Sequence, residues 1–163
     1  MSTPEKVKEE MLQDFAEAYR SFGLSKLMGR VVALLIYSHQ PLSLDDIAQN
    51  LEMSKGPISQ ITRRLSDRNL IRKIWVPGDR KDYYEMTAEL FENAFKNNFS
   101  LIQNNTKIAR QLREKVEQTN DESLNVLKNR LVEMENFYQL MEKHFQNFLD
   151  EWVEKRTEIY QNQ

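Results

Sequence analysis

The last 76 residues of this 163-residue chain, Ala88 to Gln163, contain neither glycine nor proline. Those two residues are the strongest local breakers of regular structure, so a stretch this long without either predicts long helices. The chain holds only four of each: Gly23, Gly29, Gly56, Gly78 and Pro4, Pro41, Pro57, Pro77. Turns and short elements therefore belong to the first half. No glycine-rich phosphate loop exists, which excludes a Rossmann or P-loop nucleotide site.

Apolar spacing orders the first half. Val7, Met11, Phe15, Ala18 and Phe22 recur every three or four residues and predict a helix over 5–22, ended by Gly23 in a left-handed cap. Ser25 is placed to cap a second helix, 26–38, apolar on most sides and so central to the core. Gly29 there suits a close helix crossing. In PLSLDDIAQNL, Ser43 and Asp46 have capping-box spacing, and Leu44, Ile47, Ala48 and Leu51 form a buried stripe. After a tight EMSK connection, Ser54 is placed to cap a helix with Pro57 in its first turn, Ile58, Ile61 and Leu65 inward, and Asn69 at its end. Ile71–Val76 reads as a strand, Pro77–Arg80 as a turn and Lys81–Met86 as a returning strand. A helix-turn-helix followed by a hairpin is a winged helix.

Beyond it, 88–118 reads as one long helix, with a break at 119–121. Leu124, Leu127, Leu131, Met134, Tyr138, Met141, Phe145, Phe148 and Trp152 then alternate at spacings of three and four, the pattern of a helix-packing seam. The expected architecture is mainly α with a small β-hairpin wing. Residues 1–24 form an N-terminal helix for dimerisation and 25–87 a winged helix-turn-helix domain. Residues 88–163 form long helices for dimerisation, with room for an effector pocket. The seam is assigned to a homodimer, with an intrachain bundle as its rival.

Composition removes several classes of function. The chain has no cysteine and two separated histidines, His39 and His144, so neither a metal nor a cofactor is expected. The longest apolar run, Val31 to Tyr37, is far short of a membrane span. The charged start MSTPEKVKEE is unlike a secretory leader, and the expected compartment is the cytoplasm. Asp45-Asp46 resembles a carboxylate pair for acid–base chemistry. Neighbouring helix residues point about 100° apart, and no base stands beside a nucleophile, so no enzyme is expected.

Net charge is −2, yet it is unevenly spread. Residues 54–81 carry eight cations against two carboxylates. A local patch of this kind suffices to attract phosphate. On a helical wheel, Gly56, Ser59, Gln60, Arg63 and Asp67 lie opposite the apolar stripe, flanked by Lys55 and Thr62 on one edge and Arg64 on the other. An α-helix fits the major groove of B-DNA. There Gln60 suits adenine and Arg63 suits guanine, each bidentate pair giving about 1–3 kcal/mol of discrimination. Ser54, Lys55 and Thr62 suit phosphate. At the hairpin tip Arg80 and Lys81 suit the minor groove, with Asp79 bonding turn amides or orienting Arg80.

The stretch from Gly29 to Met86, above all Ser54-Lys55-Gly56 with Ser59 and the run Trp75 to Tyr84, resembles the GbsR-type branch of the MarR-like winged-helix regulators. The resemblance implies a homodimeric DNA-binding regulator, often a repressor, with double-stranded DNA and a second copy as partners. It also implies a small-molecule effector akin to choline or glycine betaine, which aromatic cages bind. Tyr19, Phe22, Phe91 and Phe95 are the candidate cage residues. The alternative is a winged-helix module that binds protein instead of specific DNA.

Overall fold

The computed structural model describes residues 2–119 and 121–161, and they fall into two compact units, one up to Ala94 and one from Phe95. The first contains α1 (Thr3–Ser21), α2 (Lys26–Tyr37), β1 (Leu42–Ser43), α3 (Leu44–Asn50), α4 (Lys55–Asp67), β2 (Ile71–Ile74) and β3 (Tyr83–Met86). Its last element is the first turn of α5 (Leu90–Thr119).

α1 starts on a capping box between Ser2 and Glu5 and stops before Gly23, at φ 74°. It lies hard against α2, where a Cβ on Gly29 would stand 2.2 Å from the carbonyl oxygen of Phe15. The glycine is therefore a contact point between two backbones. α1 buries Leu12 and Ala16 and belongs to the winged unit, instead of standing apart as residues 1–24. α2 is the centre of the core: Met28, Val31, Val32, Leu34 and Leu35 are buried with Ile47, Leu51, Ile58, Leu65 and Ile71. Each such side chain contributes about 1.5–3 kcal/mol of transfer free energy.

Ser43 caps α3 as the spacing predicts. Its hydroxyl accepts from Asp46 N at 3.1 Å, and the Asp46 carboxylate accepts from Ser43 N at 2.9 Å. The chain reverses into α4 through Glu52, at φ 54°. The α4 helix ends before Asn69, at φ 56°. β2 and β3 form the antiparallel hairpin, with Arg72 opposite Glu85 and Lys73 opposite Tyr84. The two-residue β1 adds a third strand, order β1-β3-β2, which apolar periodicity does not anticipate. This is the winged-helix architecture. Leu90 joins its core and Asn93 donates to Asn69 O at 2.8 Å, so the boundary lies past the expected residue 87.

The second unit pairs the rest of α5 with α6 (Asn125–Gln161), which follows a short 3-10 turn, Glu122–Leu124. Of the predicted break at 119–121, Asn120 lies outside the described residues. The two helices are antiparallel partners. Phe95 meets Phe145 and Phe148 with ring centroids 4.9 and 4.8 Å apart. Farther along, Arg110 and Arg113 bind Glu135 at 2.9 and 2.7 Å, and Lys128 lies 3.6 Å from Glu117. Thr106 donates to Glu142.

This pairing corrects the assignment of the nine-residue seam wholly to a second copy. Leu131 and Phe145 pack within the chain, and Phe148 does so in part. The inward face of α6 runs through Leu131, Glu135, Glu142, Phe145 and Leu149. Two of these five positions are carboxylates, which an apolar pattern passes over. Leu124, Met134, Tyr138, Met141 and Trp152 are half-buried and Leu127 is exposed. Val126, Phe137 and Leu140, outside the predicted seam, are more exposed still.

Candidate nucleic-acid interface

α4 presents two faces because its apolar residues recur every three or four positions. Ile58, Ile61 and Leu65 point into the core, while Lys55, Gly56, Gln60, Arg63 and Arg64 are exposed. Ser59 is half-buried. Thr62 departs from its predicted place. It is 1 % exposed, and its hydroxyl donates to Ser59 O at 3.1 Å. Its methyl completes the inner stripe and its one donor is used, so it does not reach a phosphate.

The start of α4 is open. Ser54 occupies the N-cap position with extended backbone, but its side chain makes no cap hydrogen bond. The amides of the first turn thus have no cap from the Ser54 side chain. A Cβ built on Gly56 meets nothing within 4 Å, so packing does not require the glycine. Its consequence is a low helix surface that another molecule can approach closely.

The wing is braced by Asp79. Its carboxylate accepts from Lys81 N at 2.9 Å and from the Tyr83 hydroxyl at 2.8 Å. The backbone bond to Lys81, then that to Tyr83, holds its pKa below the ordinary aspartate range. Gly78, at φ 84°, completes the turn. On the strands behind it, Arg72 binds Glu85 at 2.6 Å and Lys73 binds Asp82 at 2.6 Å. These two cations are engaged within the hairpin.

The cations of the outer face of α4 and of the wing tip fall into two groups. Arg63, Arg64 and Arg80 are exposed and have no ion-pair partner among the described residues. Lys55 and Lys81 share one carboxylate, that of Asp45 near the start of α3. Sequence spacing gives no sign of this, since Asp45 and Lys81 are far apart in the chain.

Two of the proposed cage residues are engaged in packing. Phe95 has its ring against Phe145 and Phe148, and Tyr19 packs on the core of the winged unit. Phe22 and Phe91 are exposed. Phe95 is therefore a packing residue of the helix pair, which corrects its reading as a free cage wall.

A winged helix whose second helix-turn-helix element shows an unobstructed, cationic face is the build of a DNA-reading domain. Residues 31–83 match the MarR family, so this winged-helix portion is a MarR-type domain. The chain is 25% identical over 162 residues to the HTH-type transcriptional repressor OpcR of Bacillus subtilis (strain 168), covering 91% of this chain and 88% of that protein. It is 25% identical over 88 residues to the HTH-type transcriptional repressor GbsR of the same organism, covering 54% of this chain and 48% of that one. A solved structure described as that of a transcriptional regulator superposes with a TM-score of 0.74 at 21% identity, over 90% of this chain and 98% of its own.

Proposed function

We propose that the protein is a homodimeric, DNA-binding transcription regulator acting as a repressor in the cytoplasm. It reads a pseudo-palindromic operator with α4 in the major groove and the wing tip, residues 77–81, in the minor groove. The observation that carries this reading is the outward face of α4, where Gln60, Arg63 and Arg64 are exposed beside the bare backbone of Gly56. Gln60 and Arg63 supply paired donors for base edges. The open amides of the first turn and the Ser54 hydroxyl suit phosphate. Arg80, at the projecting turn, suits a narrow minor groove.

The dimer is supported by surface that one copy leaves uncovered. Leu101, Ile108 and Leu112 share a stripe on α5, as do Val126, Phe137 and Leu140 on α6, and all six are exposed. Apolar surface on this scale marks an association site, and a two-fold dimer explains why one short reading helix per chain suffices. The carboxylates of α3 have structural partners, Asp46 in the helix cap and Asp45 in ion pairs, so no catalytic role is assigned to them.

Titration of the intact protein against the DNA upstream of its own gene tests the proposal. Binding that falls linearly in a log–log plot against salt, with a protected palindromic footprint, is expected. A protein that leaves this DNA and a scrambled duplex equally unbound at low salt overturns it.

A further inference from the structure

Asp45 is a carboxylate that the proposed function does not use, and it sits between two lysines of the basic surface. It lies two residues into α3, after the Ser43 cap. Its Oδ1 is shut off from water and meets the Lys55 ammonium, at the first residue of α4. Its Oδ2 lies 3.5 Å from Lys81 Nζ on the wing. One side chain thus ties the start of the reading helix to the wing across a cleft of about 240 Å³. The Lys55 contact foremost keeps Asp45 ionised to lower pH than an ordinary aspartate.

This arrangement divides the basic surface by purpose. Arg63, aimed outward from α4, and Arg80, at the wing tip, carry no such partner among the described residues. The two lysines are compact point charges suited to phosphates of any sequence. A phosphate that takes Lys55 or Lys81 must replace an anion already there. The exchange returns little free energy, releases fewer counterions, and leaves a shielded carboxylate oxygen without its cation.

We propose that Asp45 is a specificity-determining residue: by occupying Lys55 and Lys81 it withholds two cations from the phosphate backbone and suppresses sequence-independent binding. The inference rests on the DNA-binding reading above. Contacts to bases through Gln60 and Arg63 are untouched by the clamp, so its effect falls on the non-specific term. The ratio of specific to non-specific affinity rises as a result.

The test measures binding of the intact protein to a scrambled duplex of about 30 base pairs, by fluorescence anisotropy from about 50 to 300 mM salt. Asp45→Asn keeps the shape and removes the charge. It is expected to tighten this binding by about threefold or more, since each exposed ion pair is worth a few-fold at most. The log–log salt slope is expected to steepen by up to about two per protomer. Asp45→Glu, which can still reach both lysines, is expected to restore wild-type behaviour. Asp14→Asn, which removes the same charge from the exposed surface of α1, is expected to change neither affinity nor slope. Unchanged or weaker binding by Asp45→Asn, or equal tightening by Asp14→Asn, overturns the clamp while leaving DNA binding intact. If wild type and Asp45→Asn both ignore the scrambled duplex and the upstream DNA at low salt, the DNA-binding reading fails and the clamp fails with it.

Discussion

The two units of this chain are both largely helical, yet they solve the burial problem in opposite ways. In the winged unit three helices and a hairpin converge on α2, where Val31, Val32, Ala33 and Leu34 are all at most 2 % exposed. In the second unit two long helices pair side by side, and few of their apolar residues are buried: Phe99, Ala109, Leu131 and Leu149. Two helices alone cannot enclose a core, because each has only one neighbour to cover its apolar stripe. The pair instead uses rings at one end and ion pairs at the other. Its remaining apolar surface is what we assign to a second copy. The first unit thus encloses its own core, while the second leaves exposed the apolar surface on which the proposed dimer rests.

The contrast can be broken most severely at Gly29. Gly29→Val places carbon atoms on the Phe15 carbonyl, where backbone must move, and is expected to destabilise the winged unit by about 3 kcal/mol. A fall in the urea midpoint at unchanged dimerisation is the expected outcome. A variant as stable as wild type shows that α1 does not complete this core. The next largest effect belongs to the second unit. Phe137→Asp or Leu140→Asp, at positions 60% and 57% exposed in one chain, is expected to weaken the dimer by thirtyfold or more, about 2 kcal/mol, by sedimentation. An intact dimer relocates the interface. Phe145→Asp is a poor substitute, since Phe145 packs on Phe95 and Phe99 within the chain and its loss disrupts the helix pair itself.

A smaller effect separates the polar half of the pair from its aromatic half. Arg113 foremost, then Arg110, holds the Glu135 carboxyl below the ordinary glutamate range. The carboxylate is therefore bound more tightly in the folded state. Its contribution is present above the ordinary glutamate value and is lost as pH falls through the lowered one. Glu135→Gln is expected to cost about 1 kcal/mol near neutrality and to flatten this acid dependence, read by circular dichroism across a pH series. An unaltered acid limb shows that the ions do not set the pairing. The smallest effect is a gain. Glu52 holds φ at 54°, so Glu52→Gly is expected to stabilise the winged unit by about 0.5–1 kcal/mol in the same urea assay. A loss instead means that the glutamate side chain has a contact of its own.

What could be read from sequence follows the same division. Elements fixed by neighbours in the chain are legible. The Ser25 and Ser43 caps, the Gly29 crossing, the inward stripe of α4 and the Gly78 turn all stand where local spacing puts them. Features fixed by residues far apart are not. β1 is two residues long and exists only because β3 lies beside it. Glu135 and Glu142 face inward because Arg110, Arg113 and Thr106 cross from α5, so the true inner face is partly polar. The Asp45 clamp depends on the hairpin bringing Lys81 back to α3. Thr62 departs from its expected place for a different reason. It sits at the edge of the wheel, where a residue's size and its own hydroxyl decide the side, and the hydroxyl bonds the preceding turn.

The claim on which the functional account turns is that the exposed face of α4 reads bases. The most direct measurement compares wild type with Arg63→Ala on two duplexes, the DNA upstream of the gene and a scrambled sequence of equal length, at one fixed salt concentration. The account predicts that wild type prefers the upstream duplex and that Arg63→Ala loses about 1–3 kcal/mol of that preference while remaining dimeric. Equal discrimination by the two proteins would contradict it.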